Sequence, residues 1–94
     1  HGIIQINIKN AAFSGTNVVT LTCKNTGTQS VTIASAKVNN APVTIASGGN
    51  MTTSDAGDSG TLVLTSAWVA GNPYKFDLVD SSGQVVGSYQ ATAN

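Results

Sequence analysis

Apolar side chains recur at every second position along most of this chain and never hold the 3.6-residue period of a helix. Residues 2–8 alternate three isoleucines with Gln5 and Asn7, and residues 17–24 repeat the alternation. In the second segment we expect the apolar residues to point inward and the threonines to point outward. The pattern predicts half-buried β-strands.

Turn residues separate the predicted strands, and one strand changes its facing. Residues 25–28 (Asn-Thr-Gly-Thr) predict a hairpin between the second and third strands, and residues 39–42 and 81–83 predict two further turns. The third strand shifts its inward parity near residues 34–35, which predicts a β-bulge. Residues 46–60 hold almost nothing apolar and predict an exposed loop.

Seven short strands at this spacing predict an all-β fold, an immunoglobulin-like antiparallel β-sandwich that takes in residues 1–94 as a single domain. In the last strand, Val85, Val86 and Tyr89 do not share one parity. The predicted core consists of Ile4, Ile6, Val19, Leu21, Val31, Ile33, Leu62, Leu64, Tyr74, Phe76 and Leu78.

Three side chains have predicted roles in and around that core. Tyr74 opens a strand after Gly71 and predicts a tyrosine corner, in which the phenol bonds to upstream backbone. Trp68 is expected to cover one end of the core and to direct its N–H at a carbonyl or water. The single cysteine, Cys23, follows the inward parity and is expected to be a buried small hydrophobe.

Charged residues make up only 9% of the chain, where about 25% is typical. Four lysines balance four aspartates, and the chain has no Arg and no Glu. A neutral, hydroxyl-rich surface favours association with other copies of the chain. The chain lacks the basic stripe that nucleic acid requires, and no partner role for nucleic acid or for a membrane is expected of it.

The sequence offers little material for catalysis or metal binding. His1 is the only imidazole, and neither a catalytic residue nor a metal site nor a cofactor is expected. Weak copper or nickel binding by the terminal amine and His1 is the minor alternative. Asp55 and Asp58 in a glycine-rich loop suggest turn formation first and calcium second. Asp77 and Asp80 are expected to be solvated strand-end residues.

Two features concern sugars. Asn50-Met51-Thr52 is a glycosylation sequon in the long polar loop, which makes Asn50 a candidate glycan site. Trp68, Tyr74 and Tyr89 are the aromatics from which a sugar-binding platform would be built. Aromatic residues make up only 5% of the chain, which is too few for a stacking surface, so a carbohydrate-binding module is only the rival function. An adhesive accessory domain of a secreted protein is the third.

Several segments together resemble a known family. They are Lys24-Asn25-Thr26-Gly27, Val31-Thr32-Ile33, residues 68–79 (WVAGNPYKFDLV) and Ser82-Gly83. With these, the chain is similar to the globular domain of archaeal type IV pilins and archaellin-like filament proteins. The resemblance implies an immunoglobulin-like head on the outside of a filament whose core is a bundle of N-terminal hydrophobic helices.

This chain departs from the family in lacking that helix. Three explanations stay open: the helix was removed, the first strand is donated to a neighbouring subunit, or the sandwich is unrelated to pilins. Strand donation would use Ile3, Ile4, Ile6 and Ile8, which form a β-prone, uncharged segment. Pairing of this segment within its own sandwich is the simpler arrangement.

Together these observations predict a non-enzymatic structural subunit of an extracellular, cell-surface filament, archaeal and similar to a pilus. The partners expected of it are copies of itself, in a homopolymer, and the cell surfaces or abiotic surfaces to which such a filament adheres. The polar faces of its strands are expected to provide the lateral contacts.

Overall fold

The computed structural model describes residues 2–94, which form eight β-strands. Within these residues, no helix has the length and apolar character needed to cross a membrane. The strands are β1 (Ile6–Ser14), β2 (Val18–Asn25), β3 (Val31–Val38), β4 (Ala41–Ala46), β5 (Thr53–Ser54), β6 (Ser59–Thr65), β7 (Pro73–Asp80) and β8 (Val85–Thr92). The all-β antiparallel sandwich is therefore confirmed. The eighth strand is β5, a two-residue strand inside the segment expected to be a loop.

The strands follow the order β1-β2-β6-β4-β3-β7-β8, with β5 beside β3. β4 pairs with β6 through residues 44–46 and with β3 through residues 41–43, so one strand joins the two sheets along one side. On the other side lie β1 and β8, which share no ladder. Their backbones still meet closely, since a Cβ added to Gly87 would lie 2.4 Å from the Ile6 carbonyl oxygen.

The predicted hairpin between the second and third strands is wrong. β2 pairs with β1 and β6, whereas β3 lies in the other sheet between β4 and β7. Residues 26–30 therefore cross from one sheet to the other. Asn39 and Asn40, with φ of 51° and 67°, form the two-residue turn of the β3–β4 hairpin, a conformation that asparagine tolerates better than most residues.

The first strand is displaced from its predicted position. β1 begins at Ile6 and continues to Ser14, so Ile4 lies outside it and is 43% exposed instead of contributing to the core. The ladder to β2 shifts between Ile8 and Asn10, which marks a bulge at Lys9. The bulge changes the parity, so that Phe13 faces inward beyond it.

The bulge predicted in the third strand is confirmed, because the β3–β7 register shifts between Ile33 and Ser35. A second shift, where Val79 pairs with Val85 and Leu78 with Gly87, explains the mixed parity of the last strand. The extra residue there is Val86, which is buried while Val85 is exposed.

The core fills the space between the sheets. Its fully buried side chains include Phe76, Leu21, Leu62 and Leu64. An aromatic cluster closes one end, where the Phe13 ring lies 5.5 Å from Trp68, 5.7 Å from Tyr74 and 6.1 Å from Phe76, measured between ring centroids. Edge-on and tilted aromatic pairs at such separations contribute stability beyond the area that they bury.

Residues 46–60 are not wholly exposed, contrary to expectation. Met51 and Ser54 are each only 2% exposed, because β5 pairs with residues 31–32 of β3 and draws this segment over the core. The backbone amide of Ile33 also donates to the Thr52 carbonyl at 2.7 Å.

Asn25 ties this segment to the crossing between the sheets. Its side chain is fully buried, donates from Nδ2 to the Gln29 carbonyl at 2.9 Å and accepts at Oδ1 from the Gly27 amide at 3.0 Å. Its backbone amide donates to the Asp58 carbonyl, and its carbonyl accepts from the Gly57 amide, both at 2.8 Å. One residue thus fixes two loops at the same end of the sandwich.

Asn25→Ala is expected to destabilise the fold by about 2 kcal/mol, because it removes a buried side chain that bonds to the Gly27 amide and the Gln29 carbonyl of the crossing loop. Urea unfolding followed by circular dichroism measures the change. Asn7→Ala is the matched control, since Asn7 is exposed on β1 and is expected to change stability by less than about 0.5 kcal/mol. Equal effects of the two substitutions would contradict this role of Asn25.

Cys23 is expected to resist thiol reagents in the folded protein. It is 1% exposed, and burial raises the pKa of its thiol to about 11, so the reactive thiolate is scarce at neutral pH. Labelling with a chromogenic disulfide at pH 8 should be slow in buffer and fast in urea. Fast labelling without denaturant would show that the second strand opens readily.

Candidate assembly surface

The outer side of the sheet β1-β2-β6-β4 carries a neutral array of small side chains, which we call the threonine face. Along β2 and β6, the outward pairs Thr20↔Val63 and Thr22↔Thr61 alternate with the inward pair Leu21↔Leu62. The residues that the register places on this face are Asn7, Asn10, Ala12, Ser14, Val18, Thr20, Thr22, Lys24, Thr44, Ala46, Ser59, Thr61, Val63 and Thr65.

The threonine face is ordered in four rows across the strands. From one end of the sheet to the other, the rows are Ser14, Val18, Thr65 and Thr44; Ala12, Thr20, Val63 and Ala46; Asn10, Thr22 and Thr61; and Asn7, Lys24 and Ser59. In the two middle rows, the side chains on β2 and β6 are half-buried. Short side chains at the spacing of the strands give a surface of low relief.

Charge is confined to one end of this face. Lys24 stands in the fourth row, and the bulge places Lys9 on the edge strand between the third and fourth rows. None of the four aspartates lies on the face: two belong to the loop before β6 and two to β7. The first two rows are therefore uncharged.

The outer side of the other sheet is different, because charged residues cluster at its centre. Lys37 of β3 pairs in register with Asp77 of β7, and the Lys75 amine lies 4.0 Å from Asp77 Oδ2. The Ser88 hydroxyl donates to Asp77 Oδ1. Asp77 is only 6% exposed, so its predicted place as a solvated strand-end residue is wrong.

Asp80 is also less exposed than expected, at 7%, because its carboxylate caps the β7–β8 hairpin. Oδ1 accepts from the Ser82 hydroxyl at 2.7 Å and from the amides of Ser82 and Gln84, each at 3.0 Å. The hydrogen bond from the Ser82 hydroxyl is the main cause that lowers the pKa of this carboxyl below its usual value, and the amides add to it.

Asp55 and Asp58 form one turn, in which each of them hydrogen-bonds to the other. The Asp55 backbone amide donates to Asp58 Oδ2 at 2.8 Å, and the Ser30 hydroxyl donates to Asp55 Oδ1 at 2.7 Å. Across residues 2–94, no three His, Cys, Asp or Glu side chains come together as a metal-binding group, and no pocket is enclosed. His1, with the copper or nickel site considered for it, lies outside the described residues.

The aromatic residues considered for sugar binding are half-buried and pack against the core. Tyr74 Oη accepts a hydrogen bond from the Val69 amide at 2.7 Å, the upstream backbone contact that a tyrosine corner makes. Trp68 Nε1 donates to the Ser14 carbonyl at 3.0 Å. Both rings pack on Phe13, and Tyr89 is half-buried on β8, so the three do not form a stacking platform.

Asn50 is exposed and borders β6. Its Oδ1 accepts from the Thr61 amide at 2.8 Å, and its backbone amide donates to the Thr61 carbonyl at the same distance. The side chain lies over Gly60, where a Cβ would be only 2.1 Å from Oδ1. Glycan attachment at Asn50 stays a prediction.

The segment considered for strand donation is bound within its own chain. Ile6 and Ile8 are 3% and 4% exposed and pair with β2, whereas Ile3 and Ile4 are exposed. The Ile3 carbonyl accepts from the amides of Thr28 and Gln29. Donation to a second copy stays a prediction, and it would have to withdraw two isoleucines from this core.

The continuation of β1 was missed in the sequence, and with it the outer column of the threonine face. Asn10, Ala12 and Ser14 lie there, opposite Thr22, Thr20 and Val18. The alternation of Ala11 and Phe13 with polar or small residues was the available signal. The bulge at Lys9 interrupts the period-two pattern, so the two halves of β1 do not read as one strand in the sequence.

The sequence matches no protein-family model and no curated protein. The fold, however, is similar to that of the archaellum periplasmic stator protein FlaG from Sulfolobus acidocaldarius, with a TM-score of 0.70, 19% identity, and coverage of 93% of this chain and 98% of that one. It is equally similar to a chain in the complex of FlaF and FlaG from the same organism, with a TM-score of 0.70, 19% identity, and coverage of 93% and 88%. The chain therefore shares the fold of these two solved structures, which are archaellum stator proteins and not pilins or archaellins.

Proposed function

We propose that this domain is a non-enzymatic structural subunit of an archaeal cell-surface filament, and that it acts by binding copies of itself through its β-sandwich. The observation that carries the proposal is the threonine face, a broad surface of low relief in which one sheet presents hydroxyl, amide and methyl groups with charge only at one end. Such a surface meets an identical one with little electrostatic repulsion.

The similarity in fold to FlaG supports the cellular setting. FlaG is a periplasmic stator protein of the archaellum, and its chain and ours overlap over nearly their full lengths. A domain of this fold therefore occurs in a periplasmic protein of the archaellum. At 19% identity this similarity concerns the fold, and the role of this chain in a filament is our inference.

A different protein is the second candidate partner. FlaG has been solved in a complex with FlaF, so a sandwich of this fold is known to bind a protein other than itself. If this chain works in the same manner, it belongs to the envelope-bound apparatus and not to the fibre.

Immunogold electron microscopy on cells of the source organism tests the proposal. Antibodies raised against this domain should decorate fibres along their length, because a subunit repeats at every position of the polymer. Antibody absorbed with the purified domain is the control. Label that stays in the cell envelope and leaves the fibres bare would contradict the filament subunit and favour the stator-like role.

A further inference from the structure

The distribution of charge on the threonine face points to one particular arrangement of two copies. We propose that this face binds the same face of a second copy, with the strands of the two sheets running in opposite directions. The inference rests on the proposed function, since it specifies how two copies of the sandwich meet.

The first step concerns which of the two outer surfaces is used. The outer side of β3, β7 and β8 carries the exposed Lys37 and Lys75 around the already buried Asp77, and a second copy laid on it would bury the two lysines. Burial of charge is costly unless every charge finds a partner. The centre of the threonine face has Thr20, Thr22 and their neighbours on β6, and burying them removes methyl groups from water and allows hydroxyls to bond.

The second step concerns orientation. Two identical faces can stack about a two-fold axis that lies parallel to the strands or across them. The first arrangement places each row over the same row, so that the charged ends of the two faces, with Lys24 and Lys9, come together at the same end of the pair. The second places the fourth row over the first, where Val18 and Thr65 are uncharged. Repulsion between like charges disfavours the first arrangement, so we expect the second.

In this arrangement β2 of one copy crosses β2 of the other, within the roughly 30° that sheet twist imposes on stacked sheets. Thr20 of one copy then lies against Thr22 of its partner, and the same contact occurs twice because a two-fold interface is self-complementary. A two-fold contact closes on itself. The face therefore produces pairs, and a filament built from such pairs grows through a different surface.

The size of the threonine face determines how tightly two copies are expected to bind each other. Four strands at about 4.8 Å and seven residues at about 3.3 Å give a footprint of roughly 19 by 23 Å. Its area, roughly 440 Å² on each copy, is below the roughly 600 to 1,000 Å² that specific, stable complexes bury on each partner and is typical of weak, transient ones. We expect a reversible pair that forms at high protein concentration and dissociates on dilution.

Sedimentation velocity of the whole chain over a range of concentrations tests the surface. Thr20→Lys is expected to weaken pairing at least about tenfold, because it brings two like charges into the centre of the interface. Thr32→Lys is the matched control: Thr32 is an exposed strand threonine on the other sheet, and its substitution should leave pairing unchanged. Circular dichroism of each variant shows whether it is folded.

Mixtures of charged variants test the orientation. Thr20→Lys mixed with Thr22→Glu should restore pairing, because residue 20 of one copy lies against residue 22 of the other. Thr20→Lys mixed with Thr20→Glu should restore it less. The opposite ranking would overturn the antiparallel arrangement and favour the row-on-row one.

The remaining outcomes separate the inference from the proposed function. If the wild-type chain pairs and Thr20→Lys pairs equally well, the threonine face is not the interface, while self-association stands. If only Thr32→Lys loses pairing, the other sheet is the interface. A wild-type chain that stays monomeric at every concentration contradicts both the inference and self-binding by this domain.

Discussion

The register between β2 and β6 is the constraint on which the rest of this structure depends. Leu21 lies opposite Leu62 and Val19 opposite Leu64, and these pairs fill the middle of the core. The residues between them form the centre of the threonine face. A slip by one residue would turn threonines inward and leucines outward, because successive side chains of a strand point to opposite sides. Core and surface are therefore two sides of one ladder, and the hydrophobic effect that fixes the first also arranges the second.

The way in which the sheets are joined decides which surfaces remain for partners. β4 hydrogen-bonds to strands of both sheets and closes one side of the sandwich. On the other side β1 and β8 approach until the Ile6 carbonyl reaches the position that a side chain on Gly87 would occupy. Edges that face each other in this way are less open to strand addition than the free edge of a flat sheet. The broad faces are the larger surfaces available for contact.

Charge distinguishes these faces. The chain has few charged residues, and the fold gathers two lysines around Asp77 on one sheet while leaving the centre of the other sheet neutral. The outcome depends on which strand lies beside which, since Lys37 and Asp77 are 40 positions apart in sequence and adjacent in the sheet. A low overall charge in the sequence favours association in general, but the position of the neutral surface follows from strand order.

The sequence by itself determined the fold class, the inward placement of Cys23 and the bulge in β3, because period-two alternation and its interruptions are local properties of a strand. It did not determine strand partners. The expected β2–β3 hairpin became a crossing between sheets, fixed by Asn25, and Met51 entered the core because β5 pairs with β3. Both outcomes come from contacts between distant segments, which only the tertiary structure brings together. The same holds for the threonine face: each strand shows its own threonines in the sequence, but whether four strands align them into one surface is decided by pairing and register.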